Sequence, residues 1–177
     1  IRDDLVTGVQ TCALPIFLGG HSDIIGGAII SAKADENFEV IRSIQRKQGS
    51  VPSPFDCWLL IRSIRSFPHR MRIHNQNAWE VAQFLNTHPK IDNVNYPGLP
   101  NHANHQVAAS QMKGFGGMVS FLFDGDAKAT IDVVGKSKFI RRATSLGGIE
   151  SLWEHRRSSE SDTSTTPRSE EHTSELQ

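Results

Sequence analysis

The sequence predicts an α/β fold for this chain of 177 residues, because strand-like and helix-like segments alternate along it. Two observations carry this prediction. Runs of β-branched and aromatic residues recur at strand length, and the clearest is MVSFLF at residues 118–123. Between these runs, apolar residues recur every three or four positions, as on the inner face of a surface helix. Surface helices packed on a sheet are therefore expected.

The first half of the chain is predicted to run from a glycine-rich loop through a strand into helices. Phe38, Ile41 and Ile44 share one face of the first helix, and Ser53 before Pro54 is a helix N-cap followed by a favoured first residue. Pro68 interrupts the next helical pattern. The predicted elements are a loop at 17–23, a strand at 24–31, and helices at 35–48, 55–66 and 70–86.

The second half continues the alternation. Pro97-Gly98 stops a strand, and Gly114-Phe-Gly-Gly117 leads into the best strand of the chain. The predicted elements are strands at 91–96 and 118–123, helices at 102–112 and 127–135, and a strand–turn–strand within 143–151.

Composition excludes several classes of protein. Lysine plus arginine and aspartate plus glutamate each number 19, which argues against a general nucleic-acid-binding surface. No apolar run approaches the ~20 residues of a membrane span. Cys12 and Cys57 do not make a disulfide framework, and Cys57 in its apolar context suits a reducing cytoplasm.

The two ends differ from the middle. Residues 168–177, RSEEHTSELQ, are what AGATCGGAAGAGCACACGTCTGAACTCCAG encodes, and the opposite strand of this DNA in another frame encodes residues 8–16. This DNA is similar to a sequencing-library adapter. We therefore expect residues 1–16 and 168–177 to be artefacts that lie outside the fold. The polar stretch 163–177 is expected to be disordered.

Two candidate sites have simple structural explanations. The loop of Gly20, His21, Ser22 and Asp23 could hold an anion through backbone N–H groups, but a tight turn before a strand is favoured. His102 and the histidine three residues later lack the glutamate of a zinc protease, so surface histidines are favoured and no metal site is expected.

Nucleophilic catalysis is a weaker interpretation of two further groups. His21, Ser22 and Asp23 are adjacent in sequence, whereas a triad needs convergence in space. Cys57 with His74 has the same weakness, and Cys57 is most simply a small core residue on a helix.

The segment Thr144-Ser145-Leu-Gly-Gly148 follows Arg141 and Arg142. A hydroxyl beside exposed backbone N–H groups can bind a carboxylate. A glycine turn between two strands explains the same residues equally well, so both interpretations stay open on the motif alone.

Together these segments carry a resemblance to a known family. FLGGHSD at 17–23 resembles the stretch after the Schiff-base lysine of the pyridoxal-phosphate (PLP)-dependent trans-sulfuration enzymes, the Cys/Met-metabolism family of cystathionine γ-synthase and γ-lyase. The match continues in order through the rest of the chain up to residue 167. The matching segments are VPSPFDCWLL at 51–60, RMRIH at 70–74, YPGLP at 96–100, GFGGM at 114–118 and SLGGIES at 145–151.

The resemblance implies a fold and a reaction. Residues 17–67 would end a large PLP-binding domain of the aspartate-aminotransferase type, and residues 68–167 would form an incomplete small C-terminal α/β domain. The implied chemistry is elimination or replacement at Cβ or Cγ of a sulfur amino acid or an activated homoserine, with the cofactor as electron acceptor. The family implies a cytoplasmic homotetramer, with neither nucleic acid nor membrane as partner.

The resemblance also assigns residues. Ser145 matches the serine that helps to hold the substrate α-carboxylate, and Thr144 occupies a position that influences reaction preference. Thr144 departs from the glutamate of some γ-lyases, so lyase and synthase both remain open. The loop Gly20–His21–Ser22–Asp23 would lie near the cofactor.

Several residues that the family uses are absent, and the Schiff-base lysine is the foremost of them. The Schiff-base lysine should stand immediately before Phe17, where this chain has Ile16. We therefore predict that the polypeptide as written is inactive and that its binding of PLP is doubtful. The alternative from another class is a non-enzymatic α/β module for oligomerisation or binding.

Overall fold

The computed structural model describes residues 9–12, 15–155 and 173–176. Helices and strands alternate through these residues, which confirms the predicted α/β class. The chain divides into two compact units, residues 1–67 and 68–177. In the part of the chain that the structure describes, no helix has both the length and the apolar character needed to cross a membrane.

The first unit contains a two-stranded antiparallel sheet and helices. Strand β1 pairs with β2, and the register joins Val9 to Ser31. Asp35 caps helix α1 by accepting the N–H of Phe38 at 3.0 Å, and the helix stops at Gly49, whose φ of 70° suits glycine. The elements are β1 Val9–Cys12, a π-helical turn Pro15–Gly19, β2 Ala28–Ser31, α1 Glu36–Gln48 and the start of α2 Pro54–Asn86.

Two predictions for this unit need correction. The loop predicted at 17–23 begins as the π-helical turn, and the strand predicted at 24–31 covers only Ala28–Ser31. Gly26 and Gly27 precede the strand, and glycine weakens strand structure because it loses the most backbone entropy. Ser53 is confirmed as a cap, since its hydroxyl accepts the N–H of Asp56 at 3.1 Å.

Helix α2 runs without a break through Pro68, so the predicted interruption there is wrong. Proline lacks the N–H that would donate to the carbonyl of Ile64, and its ring crowds that carbonyl, at a cost of about 3 kcal/mol in a helix interior. A helix of 33 residues retains its other hydrogen bonds on both sides of this gap. The loss of one bond is therefore compatible with a continuous helix.

The second unit is built on a five-stranded sheet with the order β3-β4-β7-β6-β5. Strand β4 pairs antiparallel with β3 and β7, β7 pairs antiparallel with β6, and β6 pairs parallel with β5. The elements after α2 are β3 Ile91–Asn95, α3 His105–Gln111, β4 Val119–Phe123, α4 Ala127–Lys136, β5 Arg141–Arg142, β6 Leu152–His155 and β7 Thr173–Leu176.

The strand–turn–strand predicted within 143–151 is wrong. These residues form the connection between β5 and β6, which run parallel. Parallel neighbours cannot be joined by a tight hairpin turn. The glycines of this segment therefore shape a longer connection that carries the chain back along the sheet.

Two short segments near the ends, at 9–12 and 173–176, take part in the sheets, although residues 1–16 and 168–177 were expected to lie outside the fold; that these ends are artefacts stays a prediction. Val9–Cys12 is strand β1, and Thr173–Leu176 is the central strand β7. Strand pairing uses backbone N–H and C=O groups, so a polar sequence with little apolar content can still fill an open strand position. The disorder expected for 163–177 is wrong at 173–176, and its remainder lies outside the described residues.

The hydrophobic core belongs to the second unit. It consists of one cluster formed by α2, β3, β4 and the turn after β3: Ala78, Ala82, Val94, Tyr96, Leu99, Val119 and Phe121. Tyr96 is fully buried, and its hydroxyl donates to the Gly116 carbonyl at 3.1 Å. Burial raises the pKa of this phenol above its ordinary value.

Candidate functional site

Backbone hydrogen bonds join the two ends of the connection between β5 and β6. The N–H of Arg141 donates to the Ser151 carbonyl at 3.2 Å, and the N–H of Ala143 donates to the Trp153 carbonyl at 3.3 Å. Between these ties, Gly147 has a φ of 74° and is buried together with Gly148. A side chain at residue 147 would be strained in this conformation, so glycine is required there.

Thr144, in this connection, and Glu154, in β6, form a polar contact. The Thr144 hydroxyl donates to Glu154 Oε2 at 2.6 Å, a short distance typical of a hydrogen bond to a carboxylate. Only 6% of Glu154 is exposed, although it carries an acidic side chain. Buried acidic groups need hydrogen-bond partners, and Thr144 supplies one.

Ser145, the next residue, is exposed, and its hydroxyl has no hydrogen-bond partner within residues 15–155. Arg141 and Arg142 lie just before it in the chain and are also exposed. This hydroxyl, the glycine turn and the two arginines earlier in the chain are compatible with a carboxylate ligand as well as with a purely structural turn. Thr144 and Ser145, the predicted substrate-binding residues, thus differ in what their hydroxyls do.

A cavity of about 340 Å³ lies beside the end of the same connection. Its wall combines one face of α2 with the start of β4 and residues 149–151. Burial lowers the pKa of His74 in this wall, and the positive charge of Arg70 lowers it further. The lining residues are His69, Arg70, Ile73, His74, Asn77, Ala78, Val81, Gly117, Val119, Ile140, Ile149, Glu150 and Ser151.

The glycine-rich segment before β4 is packed directly against α2. The N–H of Gly116 donates to Asn75 Oδ1 at 2.6 Å. A Cβ atom on Gly114 would meet the Asn75 side chain at 2.7 Å, and one on Gly117 would meet His74 at 3.0 Å. The absence of side chains at these positions therefore allows α2 and the segment to approach closely.

The loop Gly20–His21–Ser22–Asp23 lies in the first unit as a turn. His21 donates a ring N–H from Nδ1 to the Gly19 carbonyl at 2.7 Å, and Ser22 has a φ of 56°. His21, Ser22 and Asp23 are all exposed, and no hydrogen bond joins the three side chains in the described structure. They do not form a catalytic triad. In a triad, one histidine nitrogen donates to a carboxylate, whereas Nδ1 of His21 donates to the backbone carbonyl of Gly19.

The other histidine candidates have structural partners. His105 donates from Nδ1 to the Pro97 carbonyl at 2.8 Å and stacks near Phe115, with ring centroids 5.7 Å apart. His102 accepts the N–H of Asn104 on Nδ1. Over the ranges that the structure covers, no three histidine, cysteine, aspartate or glutamate side chains are grouped as metal ligands. Cys57 is a half-buried free thiol on α2.

Sequence reasoning missed two residues of this region. Glu154 was part of no predicted site, although an acidic residue in the apolar run Leu-Trp-Glu-His is a signal of a buried polar contact. Asn75 gave no such signal, because its partner Gly116 is 41 positions away in sequence.

Comparison with known proteins identifies the family. A model of the family described as "Cys/Met metabolism PLP-dependent enzyme" matches residues 6–175. The chain therefore belongs to this family of PLP-dependent enzymes, which confirms the resemblance.

Individual relatives and solved structures agree with this assignment. The chain is 48% identical over 122 residues to a probable cystathionine gamma-synthase of Herpetosiphon aurantiacus, covering 69% of this chain and 38% of the relative. It is 38% identical over 151 residues to a cystathionine gamma-lyase of Dictyostelium discoideum, covering 85% of this chain and 39% of the relative. The structure resembles that of cystathionine gamma synthase from Xanthomonas oryzae pv. oryzae in complex with aminoacrylate and cysteine, with a TM-score of 0.86, 32% identity, and coverage of 98% of this chain and 46% of that one.

The chain spans less than half the length of these relatives. The family uses pyridoxal phosphate. Every lysine within residues 15–155 is exposed, whereas a lysine bound to a cofactor needs an enclosed site. The position before Phe17 holds Ile16. No step through the cofactor is therefore assigned to the residues of this chain.

Proposed function

We propose that this chain is part of a PLP-dependent trans-sulfuration enzyme. The complete enzyme would catalyse elimination or replacement at Cβ or Cγ of a sulfur amino acid or an activated homoserine. In this proposal, residues 17–67 end the cofactor-binding domain and residues 68–167 belong to the small domain. The complete enzyme would act as a cytoplasmic homotetramer on small amino acids, without nucleic-acid or membrane partners.

The observation that carries the proposal is the exposed Ser145 hydroxyl on the glycine-shaped connection between β5 and β6. A hydroxyl that makes no hydrogen bond within residues 15–155 is available for a ligand, and the preceding arginines favour an anion. Amino-acid substrates carry an α-carboxylate. The role proposed for Ser145 is therefore to donate its hydroxyl proton to a substrate carboxylate oxygen, which orients the amino acid.

The cofactor-proximal role of Gly20, His21, Ser22 and Asp23 belongs to the same proposal. Gly20 is buried with a φ of 65°, and the His21 ring braces the turn through the Gly19 carbonyl. This arrangement keeps the turn in one conformation directly after residue 17. Such a rigid turn suits a position that must hold a neighbouring cofactor-linked residue in place.

We further propose that the 177-residue polypeptide has no trans-sulfuration activity, because Ile16 stands where the family has its lysine. The test is to mix the purified chain with pyridoxal phosphate, reduce with borohydride and map the labelled lysines by mass spectrometry. We expect weak labelling spread over the exposed lysines, as in a reference protein without a PLP site. Stoichiometric labelling of one lysine would contradict the proposal.

The non-enzymatic alternative is tested by the genomic DNA upstream of the codon for Phe17. Codons for Ser-x-Thr-Lys at that place support the enzyme. A natural start codon there would support a binding or oligomerisation module instead.

A further inference from the structure

We propose that Glu154 is a positioning residue that fixes the carboxylate-binding connection through the Thr144 hydroxyl. The inference rests on the proposed function, since it concerns the site assigned to Ser145. The inference assigns different roles to the two adjacent hydroxyl groups. Ser145 donates to the ligand, and Thr144 anchors the backbone that presents Ser145.

The Thr144 hydroxyl is committed to Glu154. A hydroxyl group has one proton to donate, and the 2.6 Å contact directs this proton to Glu154 Oε2. A bond of this length to a carboxylate is stronger than one between neutral groups. Thr144 therefore has no proton left for a ligand carboxylate, and only its oxygen lone pairs remain, which such a ligand would avoid.

Glu154 is a firm anchor because the sheet holds it. It lies in β6, which pairs with β5 on one side and with β7 on the other. Its side chain is almost completely buried, so few alternative rotamers are open to it. A hydrogen bond to this group transfers the rigidity of the sheet to the residue before Ser145.

The middle of the connection depends on this bond. Two backbone hydrogen bonds, from Arg141 to Ser151 and from Ala143 to Trp153, join the residues before Thr144 to residues beyond the glycines. Between them, the described structure shows one side-chain tie from residues 144–148 to the sheet, the Thr144–Glu154 bond. Without it, we expect Ser145 and the N–H groups of 146–148 to sample more conformations, which lowers affinity for a ligand.

Amide hydrogen exchange at residues 145–148 tests the anchoring. We expect Thr144→Val, which keeps the shape and removes the hydroxyl, to speed exchange there about tenfold or more. Thr144→Ser should restore slow exchange. The matched control is Thr130→Val, because Thr130 is a buried threonine of the same unit whose hydroxyl donates to the Asp126 carbonyl at 3.0 Å. This control should leave exchange at 145–148 unchanged.

A double-mutant cycle tests whether Thr144 acts through Glu154. Glu154→Gln weakens the acceptor and should speed exchange at 145–148 when Thr144 is present, but have little further effect in the Thr144→Val background. Unchanged exchange in Thr144→Val, or equal effects of Glu154→Gln in both backgrounds, would overturn the proposal. If Thr144→Val causes a general loss of structure, exchange in β4 also becomes faster. In that case, the proposal is judged by whether Thr144→Ser restores slow exchange at 145–148.

A ligand titration separates this inference from the proposed function. The probe is L-methionine, followed through the amide resonances of Leu146, Gly147 and Gly148. We expect Thr144→Val to weaken binding about threefold or more and Thr144→Ser to restore it. If L-methionine shifts no loop resonance in the unsubstituted chain, the proposed carboxylate site is overturned, and the exchange data alone decide whether Glu154 fixes the loop.

Discussion

Asn75 shows how one polar side chain joins two distant parts of the chain. It lies on α2, and its Oδ1 accepts the N–H of Gly116 at 2.6 Å, directly before β4 begins. A Cβ atom on Gly114 would meet the amide of Asn75 at 2.7 Å, so a side chain there would displace this amide. The bond is half-buried, so its loss would leave the Gly116 N–H poorly solvated. Asn75 therefore holds α2 against the segment that leads into β4.

We predict that Asn75→Ala lowers the free energy of unfolding of the second unit by about 1–2 kcal/mol, the cost of an unsatisfied, partly buried donor. Urea unfolding followed by the tryptophan signal measures this change. The control is Gln76→Ala, which removes an exposed amide bond to Glu80 from the next position of the same helix and should change stability by less than about 0.5 kcal/mol. Equal effects of the two substitutions would contradict the assigned role.

Thr144 and Ser145 show that adjacent residues of the same chemical type can have different hydrogen-bond partners. Both are hydroxyl residues in an exposed segment, yet one bonds to a buried glutamate and the other faces no described partner. Position along the sequence gives no indication of this difference.

Among the elements, strand β7 joins the two halves of the five-stranded sheet. It lies between β4 and β6, which do not pair with each other. Its backbone therefore satisfies N–H and C=O groups on two strands at once, including β6, which carries Glu154. Removing this element would convert both neighbours into sheet edges.

We predict that deleting residues 173–177 raises amide exchange strongly in β4 and β6. The effect should be much smaller in helix α4, whose hydrogen bonds lie within the helix and whose cap is Asp126. Exchange measured by mass spectrometry compares these elements within one sample, so α4 serves as the internal control. Unchanged protection of β6 would show that β7 does not contribute to the stability of the sheet.

At the scale of the molecule, the two units differ in how much apolar surface they bury. Among the described residues, all of the buried apolar residues lie between Ala78 and Leu152. In the first unit, apolar side chains such as Ile25, Val51 and Phe55 are more than 60% exposed. Burial of apolar area is the main source of folding free energy, so the second unit is the more stable one.

We predict that limited trypsin digestion cleaves the first unit before the second. Early cleavage should occur at exposed sites such as Lys33 and Arg46, whereas cleavage at Lys90 and Arg72 should follow later. Mass spectrometry of timed samples identifies the fragments. Digestion in denaturing urea is the control, in which both groups of sites should be cut at similar rates. Similar rates without urea would contradict the difference in stability.

The sequence alone determined the features that depend on local pattern. Periodicity predicted the α/β class, α1, α4 and the strand of Val119–Phe123, and the Ser-Pro pair predicted the start of α2, because these signals act over a few neighbouring residues. The ordered motifs predicted the family, which the comparisons confirm. The assignment of Ser145 and of the loop at Gly20–Asp23 remains a prediction.

The tertiary structure decided the features that depend on contacts between distant residues. It carried α2 through Pro68, placed β7 in the centre of the sheet, and brought Glu154 into contact with Thr144. In each case, hydrogen bonds and packing from elsewhere in the chain outweigh the local preference of the residues involved. A sequence pattern describes neighbouring residues only. It therefore cannot indicate which distant residues come into contact, and the folded structure is needed to identify them.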